Sequence, residues 1–203
     1  MIGDVTVEIY RVFPLDSDTG RTPNVPTRAN SPSDVAFDSK DSASAKLTFS
    51  TSTVSPTFTA SNSVQPGGIH PKPGQTTGGN GAITGQEVLF TVNFMTPFDL
   101  PTDHYFFVPQ VEVSGGEFYW LSGLRPVVMP GGAPDLQMWT RDAGLDPDWL
   151  RVGTDIVGGS PAPTFNGAFS LDGETLADTT VPEPASLMLV LSGLAGVWGR
   201  RRR

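Results

Sequence analysis

Glycine and proline interrupt this chain so often that long regular helices have little room to form. The 203 residues include 23 glycines and 19 prolines, and only 37% of the residues are hydrophobic. Such punctuation favours many short elements joined by turns. The chain is long enough for one domain with a sizeable core. The sequence therefore predicts a single all-β body.

Short stretches of alternating apolar and polar residues supply the strands of this body. The alternation is clearest in residues 5–13 and 88–95, as in half-buried strands. A Ser-Gly-Gly turn separates the runs 104–113 and 117–122, and we interpret these two runs as a hairpin. Residues 150–157 form another β-favouring run.

The spacing of these runs predicts an antiparallel β-sandwich of jelly-roll-like topology. Pro56 is expected to interrupt the β-favouring stretch around it, because proline cannot donate to a strand ladder. We assign residues 1–172 to the sandwich and residues 173–181, which are small and polar, to a linker.

The charge balance disfavours nucleic acid as a partner. The chain carries 21 acidic and 13 basic residues, a formal net charge of −8. Four of the basic residues stand together at 200–203, which leaves nine scattered through an acidic body. Such a body cannot neutralise a run of phosphates.

The absence of cysteine removes several kinds of chemistry at once. With no cysteine in the chain, disulfides, thiolate zinc sites, iron–sulfur clusters and cysteine nucleophiles are excluded. The sequence contains no Gly-x-Ser-x-Gly elbow for a serine nucleophile. We expect no catalytic residues, no bound cofactor and no metal site.

Two pairs of aspartates bear on this expectation. Asp16 and Asp18 alternate before a glycine like the opening of a calcium loop, but no glutamate stands at the twelfth position. They stay weak calcium candidates. Asp146 and Asp148 flank Pro147 beside a tryptophan, yet a glycosidase pair normally comes from separate elements. Turn or helix capping explains these two better.

Tryptophans in the second half of the chain suggest an alternative binding role. Trp120, Trp139 and Trp149 could stack on sugar rings if they were exposed on one sheet, as in carbohydrate-binding modules. Burial in the core is the favoured interpretation, because large apolar side chains are normally buried.

The residues from 182 onward differ abruptly from those before them. Pro182, Glu183 and Pro184 form a rigid turn that cannot continue a strand ladder. An uncharged apolar run, 185–199, follows. Four arginines complete the segment: Arg200, Arg201, Arg202 and Arg203.

The apolar run 185–199 predicts a short transmembrane helix in the inner membrane. Its length as a helix is about 22 Å, against about 30 Å for the hydrocarbon core. Arginine stems reaching the interface can absorb the difference. The arginines should stay cytoplasmic, which places residues 1–181 outside. A buried helix of a soluble domain is the alternative, but the run has no polar face to show to water.

This arrangement resembles the PEP-CTERM sorting domain, with Val181, Pro182, Glu183 and Pro184 as its motif and residues 182–203 as the signal. The resemblance implies recognition and cleavage by an exosortase, a membrane-embedded cysteine protease of Gram-negative bacteria that make extracellular polysaccharide. The preceding body is similar to ectodomains that often accompany this signal, and that similarity brings no known activity.

These observations predict an exported protein of the cell envelope, cell surface or extracellular matrix with a structural or adhesive role. A signal peptide is expected upstream of residue 1, because Met1–Asp4 lead directly into a strand. A cytoplasmic tail-anchored protein is the alternative to export. The alternative roles are a carbohydrate-binding module for extracellular polysaccharide and a calcium-dependent or hydrolytic secreted domain.

Overall fold

The computed structural model describes residues 1–20, 30–65, 76–123, 137–141, 148–163 and 166–175. This part of the chain is mostly β-structure, and all of its sheets are antiparallel. The predicted all-β class is therefore confirmed. The predicted linker and spanning helix lie largely or wholly outside the described residues, and the sandwich topology stays a prediction.

The largest sheet is built around the first strand. Strand β1 (Ile2–Arg11) lies between β2 (Asp38–Asp41) and β5 (Tyr105–Val113). Val7 is opposite Lys40 on one side and Pro109 on the other. Pro109 is tolerated because β5 has only one neighbour in this sheet, so a missing N–H on the other side removes no ladder bond.

A long two-stranded ribbon forms the second sheet. It pairs β3 (Leu47–Ala60) with β4 (Ile83–Phe94). The expected interruption at Pro56 does not end β3. The register instead shifts twice, between Thr53 and Ser55 and between Ser55 and Phe58, and each shift places an extra residue in β3. These bulges let the strand pass its proline without losing its partner.

Two further pairs of short strands lie in the described ranges. Strands β6 (Ser122–Gly123) and β9 (Asn166–Gly167) pair with each other, as do β7 (Trp139–Arg141) and β8 (Trp149–Arg151).

A π-helical turn, Val152–Val157, follows β8 directly. The Asp155 carboxylate accepts the Arg151 backbone N–H at 2.7 Å. At Gly153 a Cβ would collide with the carbonyl oxygen of Pro163, so only glycine fits there. The prediction of one strand over 150–157 was wrong, because the chain turns after Arg151.

The predicted hairpin of 104–113 with 117–122 is also wrong. The first run forms β5, but it pairs with β1, more than ninety residues earlier in the chain. Of the second run only Ser122 lies in a strand, and it pairs with Gly167. The Ser-Gly-Gly segment therefore ends β5 without returning the chain alongside it.

The core lies between β1 and one end of the ribbon, where Leu47 pairs with Phe94. We call this the near end of the ribbon. Val5, Val7 and Leu47 are fully buried and belong to one hydrophobic cluster. Half-buried apolar side chains pack around them: Ile2, Phe49, Phe90, Val92, Phe94, Phe98, Phe107 and Val111.

The opposite face of β1 is covered at its C-terminal end. Tyr10 points away from Ile9 and packs edge-on against Trp149, with ring centroids 5.2 Å apart. Trp149 is 3% exposed. The first sheet therefore carries apolar contacts on both faces.

Contacts divide the chain into a unit of residues Met1–Ser170 and a unit of residues Leu171–Arg203. In the second unit the structure describes only 171–175, which are exposed and have no regular structure. No helix within the described ranges is long and apolar enough to cross a membrane. The predicted helix over 185–199 lies outside those ranges.

Candidate functional site

The most connected polar site of the body is centred on Arg141 at the end of β7. Its guanidinium binds the Asp148 carboxylate at 3.0 Å, through both Nε and Nη2. It also donates to the Tyr10 hydroxyl and to the backbone carbonyl of Asp34, each at 3.0 Å. One side chain thereby joins β1, the loop after it and the β7–β8 pair.

Aromatic rings enclose this ion pair. The Arg141 guanidinium lies 5.4 Å from the centre of the Trp149 ring and 5.8 Å from that of Tyr10. The Asp148 side chain is only 1% exposed, whereas that of Arg141 is 33% exposed. Removal of water strengthens the attraction between the charges. The site therefore holds a buried carboxylate through a cation that still reaches the surface.

The Tyr10 hydroxyl both accepts and donates a hydrogen bond in this site. It accepts from Arg141 and donates to Glu8 Oε2 at 2.8 Å. Burial, and then the hydrogen bond to Glu8, raise the pKa of Tyr10 to about 12, although Arg141 acts in the opposite direction. The phenol therefore stays protonated at neutral pH and serves as a hydrogen-bond donor.

Trp149 is a core residue of this site. It is 3% exposed, and its Nε1 donates to the backbone carbonyl of Ser33 at 3.1 Å. Its ring has no open face on which a sugar could stack. Asp148, expected to cap a turn, is the buried partner of Arg141.

Trp139 is half-buried in a row of rings beside the site. Phe106 meets it edge-on at 6.2 Å, and the Arg151 guanidinium lies 5.0 Å from its centre. His104 stacks on the other side of Phe106 at 5.6 Å. Arg151 therefore lies over the Trp139 ring, where a sugar would otherwise stack.

Trp120 belongs to a separate aromatic patch that is partly open. Its ring lies 6.1 Å from Phe107 and 5.8 Å from Phe169, and its Nε1 donates to the carbonyl of Ala168 at 2.9 Å. Gly167 packs so closely on the indole that a Cβ would lie 2.6 Å from Cε2. Phe169 is 48% exposed. We call Trp120, Phe107 and Phe169 the aromatic patch.

The two calcium candidates are engaged with protein groups. Both Asp16 oxygens accept hydrogen bonds from Arg11 at 2.6 Å, and this bonding holds the pKa of Asp16 below its usual range. Asp18 accepts the Gly20 N–H, and its own N–H donates to Asp34. Within the described ranges, no group of three or more histidine, aspartate or glutamate side chains is placed to hold a metal. Calcium binding by Asp16 and Asp18 stays a prediction.

Sequence analysis missed the site around Arg141. Arg141 and Tyr10 are 131 positions apart, and no local pattern relates them. The only local signal was the position of Asp148 next to a tryptophan, since a carboxylate beside a large apolar residue is a candidate for burial with a cationic partner.

The predicted sorting residues are Val181–Pro184 and Arg200–Arg203. They lie outside the described part of the structure but within the segment that a protein-family model matches. Residues 180–203 match the family model described as the PEP-CTERM protein-sorting motif. The matched range includes the Pro-Glu-Pro residues, the apolar run and the arginines. No curated protein and no solved structure matches the chain. The prediction made from these residues is confirmed: the chain carries a PEP-CTERM protein-sorting motif at residues 180–203.

Proposed function

We propose that this chain is an exported protein of a Gram-negative bacterium that an exosortase-type membrane protease sorts and cleaves through residues 180–203. The observation that carries the proposal is the match of these residues to the sorting motif. Cleavage near Pro182–Pro184 releases or transfers the body to the cell envelope, the cell surface or the medium.

The physical properties of the segment support a transient membrane intermediate. The run 185–199 contains no charge, so it partitions into lipid, but its helical length of about 22 Å is short for a permanent span. The four arginines that follow hold the segment in one orientation by the positive-inside rule. A marginal anchor suits a protein that is processed soon after insertion.

The proposed role of the body is structural or adhesive and non-enzymatic, with its strands arranged as a β-sandwich. Packing of β1 against the near end of the β3–β4 ribbon supports the two-layer arrangement. The use of Arg141, Asp148, Tyr10 and Trp149 in one cross-linking network supports a stabilising task for these polar groups. A rigid body of this kind suits a matrix component.

The experiment compares cells with and without their exosortase. Intact mass and fractionation should show a mature product ending near Pro182–Pro184 in the envelope or medium of normal cells, and the unprocessed chain in membranes of the mutant. Glu183→Ala should block processing in normal cells. Glu174→Ala, an exposed carboxylate outside the matched segment, is the matched control and should be processed normally. An intact chain carrying Arg200–Arg203 in normal cells would overturn the proposal.

The aromatic patch supports a second candidate function, binding of the cell's own extracellular polysaccharide. Phe169 is stacked on Phe107 at 5.3 Å and remains half exposed, and Trp120 adjoins both rings. Such a surface can stack on a sugar ring. Affinity electrophoresis in a gel containing that polysaccharide tests it. Retardation should be lost in Phe169→Ala and kept in Phe58→Ala, an exposed phenylalanine on the ribbon. Equal retardation of both variants would exclude the patch.

A further inference from the structure

The outer edge of β4 is the longest regular strand edge that the described residues leave unpaired. The ribbon has only two strands, so β3 and β4 each have one free edge within the described ranges. Pro56 and two bulges interrupt β3. Strand β4 contains no proline, and both register shifts place the extra residue in its partner. Only β4 therefore offers a continuous ladder of backbone groups.

This edge also carries little of the charge that normally protects an exposed strand. Proteins commonly place lysine or other charged side chains, proline or bulges on free edges to prevent pairing with another chain. In a chain of net charge −8, β4 has one charged residue, Glu87, and β3 has none. The ribbon is therefore a place where two copies of an acidic protein can approach with little repulsion.

We propose that residues 83–89 of β4 pair antiparallel with the same residues of a second copy, about a two-fold axis at Gln86. This register makes the segment self-complementary. Ile83 lies opposite Leu89 of the second copy, and the two share one face of the new sheet. Leu89, which is 56% exposed in the single chain, gains an apolar partner.

The same register avoids contact between like charges. Glu87 lies opposite Gly85 of the second copy, a residue without a side chain. A parallel, in-register arrangement would instead place the two Glu87 carboxylates side by side, which is unfavourable. Charge alone therefore favours the antiparallel pairing.

The position of the segment on the ribbon is consistent with this arrangement. The hydrophobic core packs against Phe90, Val92 and Phe94, beyond the C-terminal end of the segment. Antiparallel pairing through 83–89 directs the two Phe94 ends away from each other, so the two hydrophobic clusters lie toward opposite ends of the joined ribbons.

The expected contact is weak. Seven paired residues form about six backbone hydrogen bonds, because only alternate residues exchange bonds across an antiparallel pair. The buried area falls in the range of transient interfaces, below about 1,200 Å². A covalent trap is therefore a more sensitive test than isolation of the dimer.

Because the chain contains no cysteine, any disulfide in this experiment must come from an introduced residue. The full chain in mild detergent is prepared as Gln86→Cys and, for comparison, as Thr59→Cys. Gln86 and Thr59 are both exposed polar residues of the ribbon, but Thr59 lies on β3, about three strand spacings from its counterpart in the proposed dimer. Mild oxidation is followed by non-reducing electrophoresis.

We expect at least about five times more cross-linked dimer from Gln86→Cys than from Thr59→Cys, because directly opposed Cβ atoms approach the separation that a disulfide requires. Equal cross-linking of the two variants would overturn the proposal, since it would report contact through the detergent-bound tail or random collision.

Charge at position 85 tests the register independently. A Cβ at Gly85 meets no atom within 4 Å, so a larger side chain fits there in the single chain. In the Gln86→Cys background, Gly85→Glu places a carboxylate opposite Glu87 of the second copy and should lower cross-linking several-fold, whereas Gly85→Lys should preserve or raise it. The same yield from both variants would exclude this register, and equal circular dichroism spectra confirm that both variants are folded.

Discussion

The β3–β4 ribbon is antiparallel along its length, but its two faces have opposite surroundings. On one face Leu47 is 1% exposed and clusters with Val5 and Val7, and Phe90 packs against the same cluster. On the other face Leu89, the neighbour of Phe90 in β4, is 56% exposed. Backbone pairing therefore does not by itself bury a side chain. Burial requires a second layer, which the first sheet supplies on the face of Leu47 and Phe90.

Truncation of the two leucines should show the difference between the ribbon's faces most clearly. Leu47→Ala is expected to lower the free energy of unfolding by about 3 kcal/mol, because it removes buried apolar contacts and leaves a cavity. Leu89→Ala should change it by less than about 0.5 kcal/mol, as at most surface positions. Urea titration followed by tryptophan fluorescence measures both. Similar losses would show that a further layer covers the face that carries Leu89.

A similar contrast separates the two arginine–aspartate pairs, Arg141–Asp148 and Arg11–Asp16. Arg141→Met should lower the free energy of unfolding by about 2 kcal/mol, because it leaves the buried Asp148 carboxylate without this ion pair. The loss is smaller than for a fully buried pair, since Arg141 is one-third exposed.

Arg11→Met is the matched control for this prediction. In the Arg11–Asp16 pair both side chains are more than a quarter exposed, and water already screens the charges. The variant should be clearly less destabilised than Arg141→Met in the same urea titration. A larger loss from Arg11→Met would mean that solvent exposure does not determine the strength of these pairs.

The smallest expected effects concern the ionisation of a buried tyrosine compared with that of a more exposed one. The pKa of Tyr10 is about 12 mainly because the residue is buried, whereas the pKa of Tyr119 is about 12 mainly because its hydroxyl donates to Glu117. Burial also raises the pKa of Tyr105, the remaining tyrosine. Absorbance at alkaline pH should therefore show less ionisation at pH 10 in the folded protein than in urea.

The raised tyrosine pKa values make the folded state less stable as the pH rises above 10. The folded state holds these phenols in the neutral form, so their contribution is complete below pH 10 and is lost as the pH rises from 10 to about 12. Glu117→Gln should return the pKa of Tyr119 toward 10. Glu8→Gln should lower the pKa of Tyr10 less, because burial is the larger cause. An equal response to both variants would contradict this assignment of causes.

Local patterns predicted the strands better than their partners. The alternation in 5–13 and 88–95 corresponds to β1 and β4. The hairpin after 104–113 was wrong, because a Ser-Gly-Gly segment can end a strand as readily as it can reverse it. The choice depends on which distant edge is available, and β1 provided it.

The candidate site shows the same limit. The roles of Trp120, Trp139 and Trp149 could not be separated by sequence, because each stands in or directly beside a β-favouring run. Their surroundings differ only through long-range contacts: Ser33 for Trp149, Phe106 for Trp139 and Ala168 for Trp120.

By itself the sequence determined the β class and the sorting motif at 180–203. Both depend on the order of neighbouring residues. The first rests on strand periodicity and turn residues, and the second on a Pro-Glu-Pro sequence, an apolar run and arginines. Only the tertiary structure decided the partner of β5, the burial of Asp148 against Arg141 and the open edge of β4. These features depend on contacts between residues far apart in the chain, whose free energy is set by the packing of the whole body.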